Sequence, residues 1–322
     1  MSFRLYVYYM TLGGAWGALG AWFVSWLLFG VEGETAAWKL ILEAGGKGAL
    51  LGALVGAILG LFDNFLSTGG RWFAMVPGAI AGLVLGGLAG LVGGLLGQVL
   101  AFLHEYLRIV GWIVAGALIG FGICGWGLLK LVLARASLKG VLRKVRNGVI
   151  GGTLGGLLGG LALVVIAQVL TPVLRGRAEP LSPAAIGWTV LGALLGLFIG
   201  LAQVILRDAW VIVESGFRPG REIPINKAVV TIGRAEGCDI GLYGGKGVEK
   251  LHARILMDGA DYFLEDCQTP GGTFVNERRV VGKQALQSGD RIRVGDCVLI
   301  FRARARRRVS RPVELASAAT VG

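Results

Sequence analysis

The segment Thr231–Ile255 reads TIGRAEGCDIGLYGGKGVEKLHARI. Its apolar runs are short, and glycine, aspartate or a charged residue interrupts each one. Short runs bounded by turn residues suit β-strands and leave no room for a long helix. The glycine-rich part, GLYGGKGVEK (241–250), could gather backbone N–H groups into an anion-binding nest, with Lys246 and Lys250 beside it. It lacks the G-x-x-x-x-G-K-[ST] spacing of a nucleotide-binding loop, and no strand–loop–helix pattern surrounds it.

The same pattern continues on both sides. AWVIVES (209–215), YFLED (262–266), GTFV (272–275), RIRVG (291–295) and CVLIF (297–301) are apolar runs separated by Gly, Asp and Pro turns. This spacing predicts a small all-β sandwich over residues 208–304.

The ordered set of motifs is more specific. Gly233-Arg234, CDI (238–240), His252-Ala253, YFLEDC (262–267), GGTFVN (271–276) and LQSGDRIRVGD (286–296) follow one another at characteristic spacing. Over about residues 209–303 the chain resembles forkhead-associated (FHA) domains, modules that read phosphothreonine. The resemblance implies a two-sheet sandwich with recognition loops at one end. It assigns Arg234 to phosphate, which suits a guanidinium fork, and Gly233 and His252 to support of the loops. It also places Glu249, Lys250, Gly271, Thr273 and Asn276 on the candidate phosphopeptide edge.

Here the chain departs from the family. Glu249 stands where the family has serine, Pro270 where it has a polar residue, and Gly271 where it has the asparagine that holds the peptide backbone. One of the four ligand-contacting positions, Arg234, is retained. A carboxylate about 4 Å from a dianionic phosphate is repelled by about 1 kcal/mol per charge pair even in water. The lost serine hydrogen bond is worth about 1.5–3 kcal/mol. Glu249 can instead pair with Arg234 and occupy the anion site. The expectation is phosphothreonine binding that is weak or absent. Phosphate-independent protein binding, a lysine replacing the serine, and a purely structural cap remain alternatives.

Before Ala209 the composition changes. The 322-residue chain is 54% hydrophobic and 16% charged, and charges are sparse up to Arg207. A spanning helix needs about 20 apolar residues. Runs between charges predict a membrane domain over 1–207, with six spans near 8–30, 44–62, 74–103, 109–131, 148–174 and 183–206. The second is short unless Lys47 snorkels to the interface. No Asp, Glu, Lys or Arg falls mid-span, so a channel or transporter regulated by the β domain is the alternative rather than the leading reading. The first apolar run is too long for a cleavable signal peptide.

GALLG (48–52), GALIG (116–120) and GALLG (192–196) repeat one signature, within GWIVAGALIG (111–120) and GWTVLGALLG (187–196). Gly78, Gly82, Gly86 and Gly90 precede Gly148, Gly152, Gly156 and Gly160 by a constant 70 residues. The fold class expected is therefore an all-α polytopic membrane domain of glycine-rich helical hairpin repeats, followed by the β-sandwich. Glycine every fourth residue keeps one helix face bare, so helices approach closely, within the monomer or in a homo-oligomer.

Lys and Arg counts set orientation. One side carries Arg4, Arg71, Lys130, Arg135, Lys139, Arg143, Lys144 and Arg146; the other carries Lys39, Lys47, Arg108, Arg175 and Arg177. Both termini are thus expected in the cytoplasm of a bacterial plasma membrane protein. The formal net charge is +12. The basic run Arg302–Arg308, opening a tail (305–322) of disordered composition, is a candidate contact for anionic lipid rather than nucleic acid. Cys124 lies in an apolar run, and Cys238, Cys267 and Cys297 read as small hydrophobes in a reducing compartment. No catalytic, metal or cofactor constellation is present in the sequence, so a non-enzymatic protein-interaction and signalling module is expected.

Overall fold

A computed structural model describes residues 3–29, 36–67, 75–133, 139–174, 182–206, 208–216, 218–225, 229–258 and 261–304. The side chain of Cys124, the loop cations Arg71, Arg135, Arg175 and Arg177, and the tail 305–322 lie outside the described residues.

Six helices come first: α1 (Phe3–Phe29), α2 (Ala37–Ser67), α3 (Met75–Ala101), α4 (Arg108–Leu133), α5 (Lys139–Leu174) and α6 (Pro183–Ile205). All six are long and apolar enough to cross a membrane. Each helix packs on the next, and α6 packs back on α1, closing a ring. Ring closure depends on glycine. A Cβ on Gly52 would lie under 3.0 Å from the Gly86 carbonyl of α3, and one on Gly86 would meet the Gly52 carbonyl. Gly48 and Gly90, Gly56 and Gly82, and Gly60 and Gly78 stand in the same reciprocal relation. Between α4 and α5 the pairs are Gly116–Gly152 and Gly120–Gly148; between α6 and α1, Gly192–Gly14. At α1/α2 and α5/α6 the glycines instead receive side chains or backbone beside larger residues, such as Phe62 against Gly13 and Leu191 against Gly159.

The ring is filled rather than hollow. Met10, Leu51, Val55, Leu59, Ile119, Ile123, Leu191, Leu195 and Ile199 form one buried cluster. Large aliphatic side chains spaced four residues apart meet there, three each from α2 and α6 and two from α4, with Met10 of α1, because glycine faces its neighbour on α2, α4 and α6 while the adjacent stripe turns inward.

Helix α2 extends beyond the expected 44–62 and so contains Glu43 and Asp63 in addition to Lys47. Lys47 pairs with Glu43 one turn away. Asp63 is 3% exposed. It accepts from the Tyr6 hydroxyl of α1 at 2.9 Å and from Lys144 Nζ of α5 at 2.5 Å. Nearby, Gln203 Nε2 of α6 donates to the Lys144 carbonyl at 2.9 Å, and Asn147 Nδ2 donates to the Leu206 carbonyl at 3.1 Å. Four helices are thus joined by polar contacts at the end from which the β domain leaves.

The β domain has eleven strands: β1 (Ala209–Ser215), β2 (Glu222–Pro224), β3 (Val229–Gly233), β4 (Ile240–Gly241), β5 (Ala253–Asp258), β6 (Asp261–Asp266), β7 (Thr273–Val275), β8 (Arg278–Arg279), β9 (Lys283–Ala285), β10 (Arg291–Val294) and β11 (Cys297–Ala303). They form two sheets, β2-β1-β11-β10-β7-β8 and β4-β3-β5-β6-β9. Alternate residues face inward, as the period of two requires; Val211, Ile232, Ile255, Leu264, Ile292, Leu299 and Phe301 are fully buried in the core. The β7–β8 hairpin closes on Asn276 (φ 48°) and Glu277 (φ 64°), the two-residue turn whose twist matches its strands.

Two outcomes test this packing. Gly52→Leu should abolish α2/α3 contact and destabilise the bundle by more than the about 1–3 kcal/mol of ordinary overpacking, whereas Gly20→Ala, whose Cβ meets only Leu54 at 3.8 Å, should be nearly neutral; denaturant unfolding in detergent compares them. Asp63→Ala, which removes the carboxylate from its contact with Lys144, should destabilise the bundle, and Asp63→Leu combined with Lys144→Met should recover most of the loss. Equal stability of single and double variants would contradict the pairing.

Candidate phosphopeptide-binding edge

Strand β3 ends at Gly233, and the chain turns so that Arg234 leaves the sheet. Gly233 is required by close approach, since a Cβ there would meet the Lys250 carbonyl under 3.0 Å away. Two backbone bonds tie the neighbouring loop to it: Arg234 N–H to the Glu249 carbonyl at 2.9 Å and Ala235 N–H to the Lys250 carbonyl at 3.1 Å. Asp239 fixes the far side, accepting from the Thr231 amide and hydroxyl at 3.1 Å. The Cys238 thiol donates to the Lys250 carbonyl at 3.1 Å, and burial pushes its pKa up, so it stays protonated.

The guanidinium of Arg234 and the carboxylate of Glu249 are 3.9 Å apart, with the side chains 52% and 48% exposed. An exposed pair at this separation contributes between 0 and about 1 kcal/mol. Its consequence is competition, because an incoming anion must share Arg234 with a fixed negative charge.

His252 is fully buried and holds this edge from below. Its Nδ1 accepts from the Glu249 amide at 3.1 Å. Nδ1 is therefore unprotonated, and Nε2–H donates towards the Gly272 carbonyl at 3.2 Å and the Thr269 hydroxyl at 3.1 Å. Thr269 in turn donates to Asp266 through its hydroxyl and amide, both at 3.0 Å, and the buried Thr273 hydroxyl donates to Asp266 at 2.6 Å. One imidazole thereby joins the 249 loop to the 269–273 loop. Asp266 and Thr269 are functional supports that the motif reading missed; an aspartate three residues before a threonine, as in DCQT (266–269), is the local turn signal that marks them.

Of the residues expected on the ligand edge, Arg234, Glu249, Lys250 and Gly271 are exposed at the same end. A Cβ on Gly271 would lie 3.6 Å from the Gly247 carbonyl, so the two glycine-bearing loops adjoin. Thr273 and Asn276 differ. Thr273 is wholly buried on Asp266. The Asn276 amide donates to Asp290 at 2.8 Å while its oxygen accepts from the Arg291 amide at 2.9 Å. The Thr273 side chain thus braces the loop from inside the domain, and the exposed Asn276 side chain ties the hairpin turn to Asp290 and Arg291.

Residues 230–295 match the family model described as FHA domain. The C-terminal region of this chain is an FHA domain. It is similar to the FHA domain-containing protein FhaB of Mycobacterium tuberculosis, 26% identical over 110 residues that make up 34% of this chain and 70% of that protein. It is also similar to the oxoglutarate dehydrogenase inhibitor of Corynebacterium efficiens, 30% identical over 96 residues, 30% of this chain and 66% of that protein. Among solved structures, one described as "Structural and functional analysis of phosphothreonine-dependent FHA domain interactions" aligns at 28% identity and a TM-score of 0.28, covering 31% of this chain and 99% of that chain. FHA domains are phosphothreonine-binding protein-interaction modules.

Within the FHA domain, Asp266 reports on the brace. Burial favours its protonated form, but the hydrogen bonds from Thr273 and Thr269, with the nearby His252, outweigh burial and lower its pKa. A carboxyl lowered on folding contributes stability that is complete above its unfolded value of about 3.9 and lost as pH falls through the folded value. Thr273→Val should raise the Asp266 pKa toward its unfolded value, so that the FHA domain is less stable at neutral pH and loses less further stability on acidification. Carboxyl titration by NMR checks this; an unmoved pKa would remove Thr273 from the brace.

Proposed function

We propose that this chain is a membrane-tethered FHA protein that recruits a protein partner to the cytoplasmic face of a bacterial plasma membrane. The observation that carries the reading is a braced edge that keeps Arg234 and has a competing charge built into it: His252 and the Arg234–Glu249 backbone bond hold the loops, while the Glu249 carboxylate stands 3.9 Å from Arg234. Phosphothreonine binding by this edge is weakened by Glu249, and also by Pro270 and Gly271, which offer no polar side chain.

Residues 1–207 act as the anchor, with six spans in three hairpins. GALLG-type segments stand on α2, α4 and α6, and each faces the first helix of the next hairpin: α3, α5 and, across the closure of the ring, α1. The registers are not identical. Gly48 faces Gly90, whereas its counterpart Gly116 faces Gly152 rather than Gly160, a shift of eight residues or about two turns. The filled core supports an anchor over a pore. The glycine rows named above are occupied within the ring, which removes them as the reason for a homo-oligomer. Both termini are placed in the cytoplasm by the Lys and Arg distribution, and the reading involves no enzymatic step. Arg302–Arg308 would add anionic-lipid contact beside the anchor.

The full chain in nanodiscs should bind fluorescent phosphothreonine peptides weakly by anisotropy. Glu249→Ser should tighten binding by about 100-fold, from removed repulsion and a restored charged hydrogen bond. Arg234→Ala should abolish it. Peptide affinity indifferent to both substitutions would sink the phosphate reading and leave phosphate-independent binding.

A further inference from the structure

The turn at Gly271–Gly272 carries no side chain, and another residue lies against it. Arg279, on the edge strand β8, pairs across the hairpin with Phe274. Its guanidinium lies over Gly272: a Cβ built there would be 2.7 Å from Nε, 3.1 Å from Nη2 and 3.2 Å from Cζ. Gly272 has φ +65°, so its backbone and its missing side chain together admit this approach. The carbonyl of the same glycine receives the His252 Nε2–H, which fixes the turn to the 249 loop. On the other side, Gly271 adjoins Gly247, next to the exposed Lys246.

The charges along this edge are unequal. Arg234 is shared with Glu249. Glu277, the acid nearest Arg279 in sequence, reaches Arg293 at 3.4 Å, and Arg293 lies over Phe274. Arg279 is exposed and forms no ion pair or side-chain hydrogen bond among the described residues. A guanidinium with open donor sites beside a turn without side chains is suited to a carboxylate or phosphate.

We propose that Arg279 is a specificity-determining residue, reading a second negative charge on the ligand, so that the preferred partner segment is a phosphothreonine peptide with an acidic residue flanking the phosphorylated position. This rests on the phosphopeptide reading of the same edge. Arg234 alone is half-cancelled, and the second cation recovers selectivity for a doubly anionic segment. An extended peptide advances about 3.3 Å per residue, so the charge must fall at one or two fixed positions rather than anywhere along the segment.

The test uses the full chain in nanodiscs and a phosphothreonine peptide of neutral context, with aspartate placed in turn at each of the four positions on either side. Aspartate at one or two positions should strengthen binding about 3- to 10-fold. Arg279→Gln should erase that gain while leaving the neutral peptide within about 2-fold, and Arg279→Glu should favour lysine there instead. An aspartate gain that persists in Arg279→Gln, or no positional gain at all, overturns the proposal while the phosphopeptide reading stands. Unphosphorylated acidic peptides form the second arm. If they bind with the Arg279 dependence and without dependence on Arg234, the second-charge assignment holds and the phosphothreonine reading fails. If neither peptide set binds, both fall. Far-ultraviolet circular dichroism of the exposed-site variants confirms that each is folded.

Discussion

Close approach of backbone to backbone is the constraint on which the helical part depends. The helices are long and apolar enough to cross a membrane, and in a lipid setting apolar side chains would gain little by leaving lipid for a protein interior, so that van der Waals contact would carry the packing. Contact of that density needs bare helix faces. Gly52 against Gly86, Gly120 against Gly148 and Gly192 against Gly14 meet the need at three interfaces. With the backbones that near, the aliphatic stripes of α2, α4 and α6 converge and fill the centre. Glycines that would weaken these helices in water by about 1 kcal/mol each are what assemble them here.

The FHA domain depends on a different device. Its ligand edge consists of loops, and loops need a fixed reference. His252 supplies it by accepting from the 249 loop and donating to the 269–272 loop, with Asp266 holding the second loop through two threonines. The edge is therefore rigid where it carries Glu249. The braced backbone holds the Glu249 position beside Arg234, with the two charged groups 3.9 Å apart.

The two halves also treat buried charge differently. In the sandwich, Asp266 sits among hydrogen-bond donors and stays ionised at lower pH. In the helices, Asp63 is paired with Lys144 from a helix 81 positions later. In the sequence a charge ends the apolar run at Asp63, which falls outside the expected span 44–62. The partner that makes the charge tolerable inside α2 is remote in sequence, and local hydropathy has no access to it.

Much of this protein was legible from residues alone. Short apolar runs with turn glycines specify a sandwich, because strand period and turn chemistry are local properties. The ordered motifs from Gly233 to Asp296 specify its family, and the long runs between charges specify six apolar helices. Glu249 in place of a serine was also visible. Tertiary structure alone decided which glycine row faces which, since several rows fit one another equally well and only ring closure selects among them. That Thr273 and Asn276 shape the loop is also implied by the family resemblance, but the structure alone gave their partners, Asp266 and Asp290, and it alone laid Arg279 against Gly272. Those outcomes depend on contacts between segments that fold together at a distance, where the energy lies in the pairing and not in either residue.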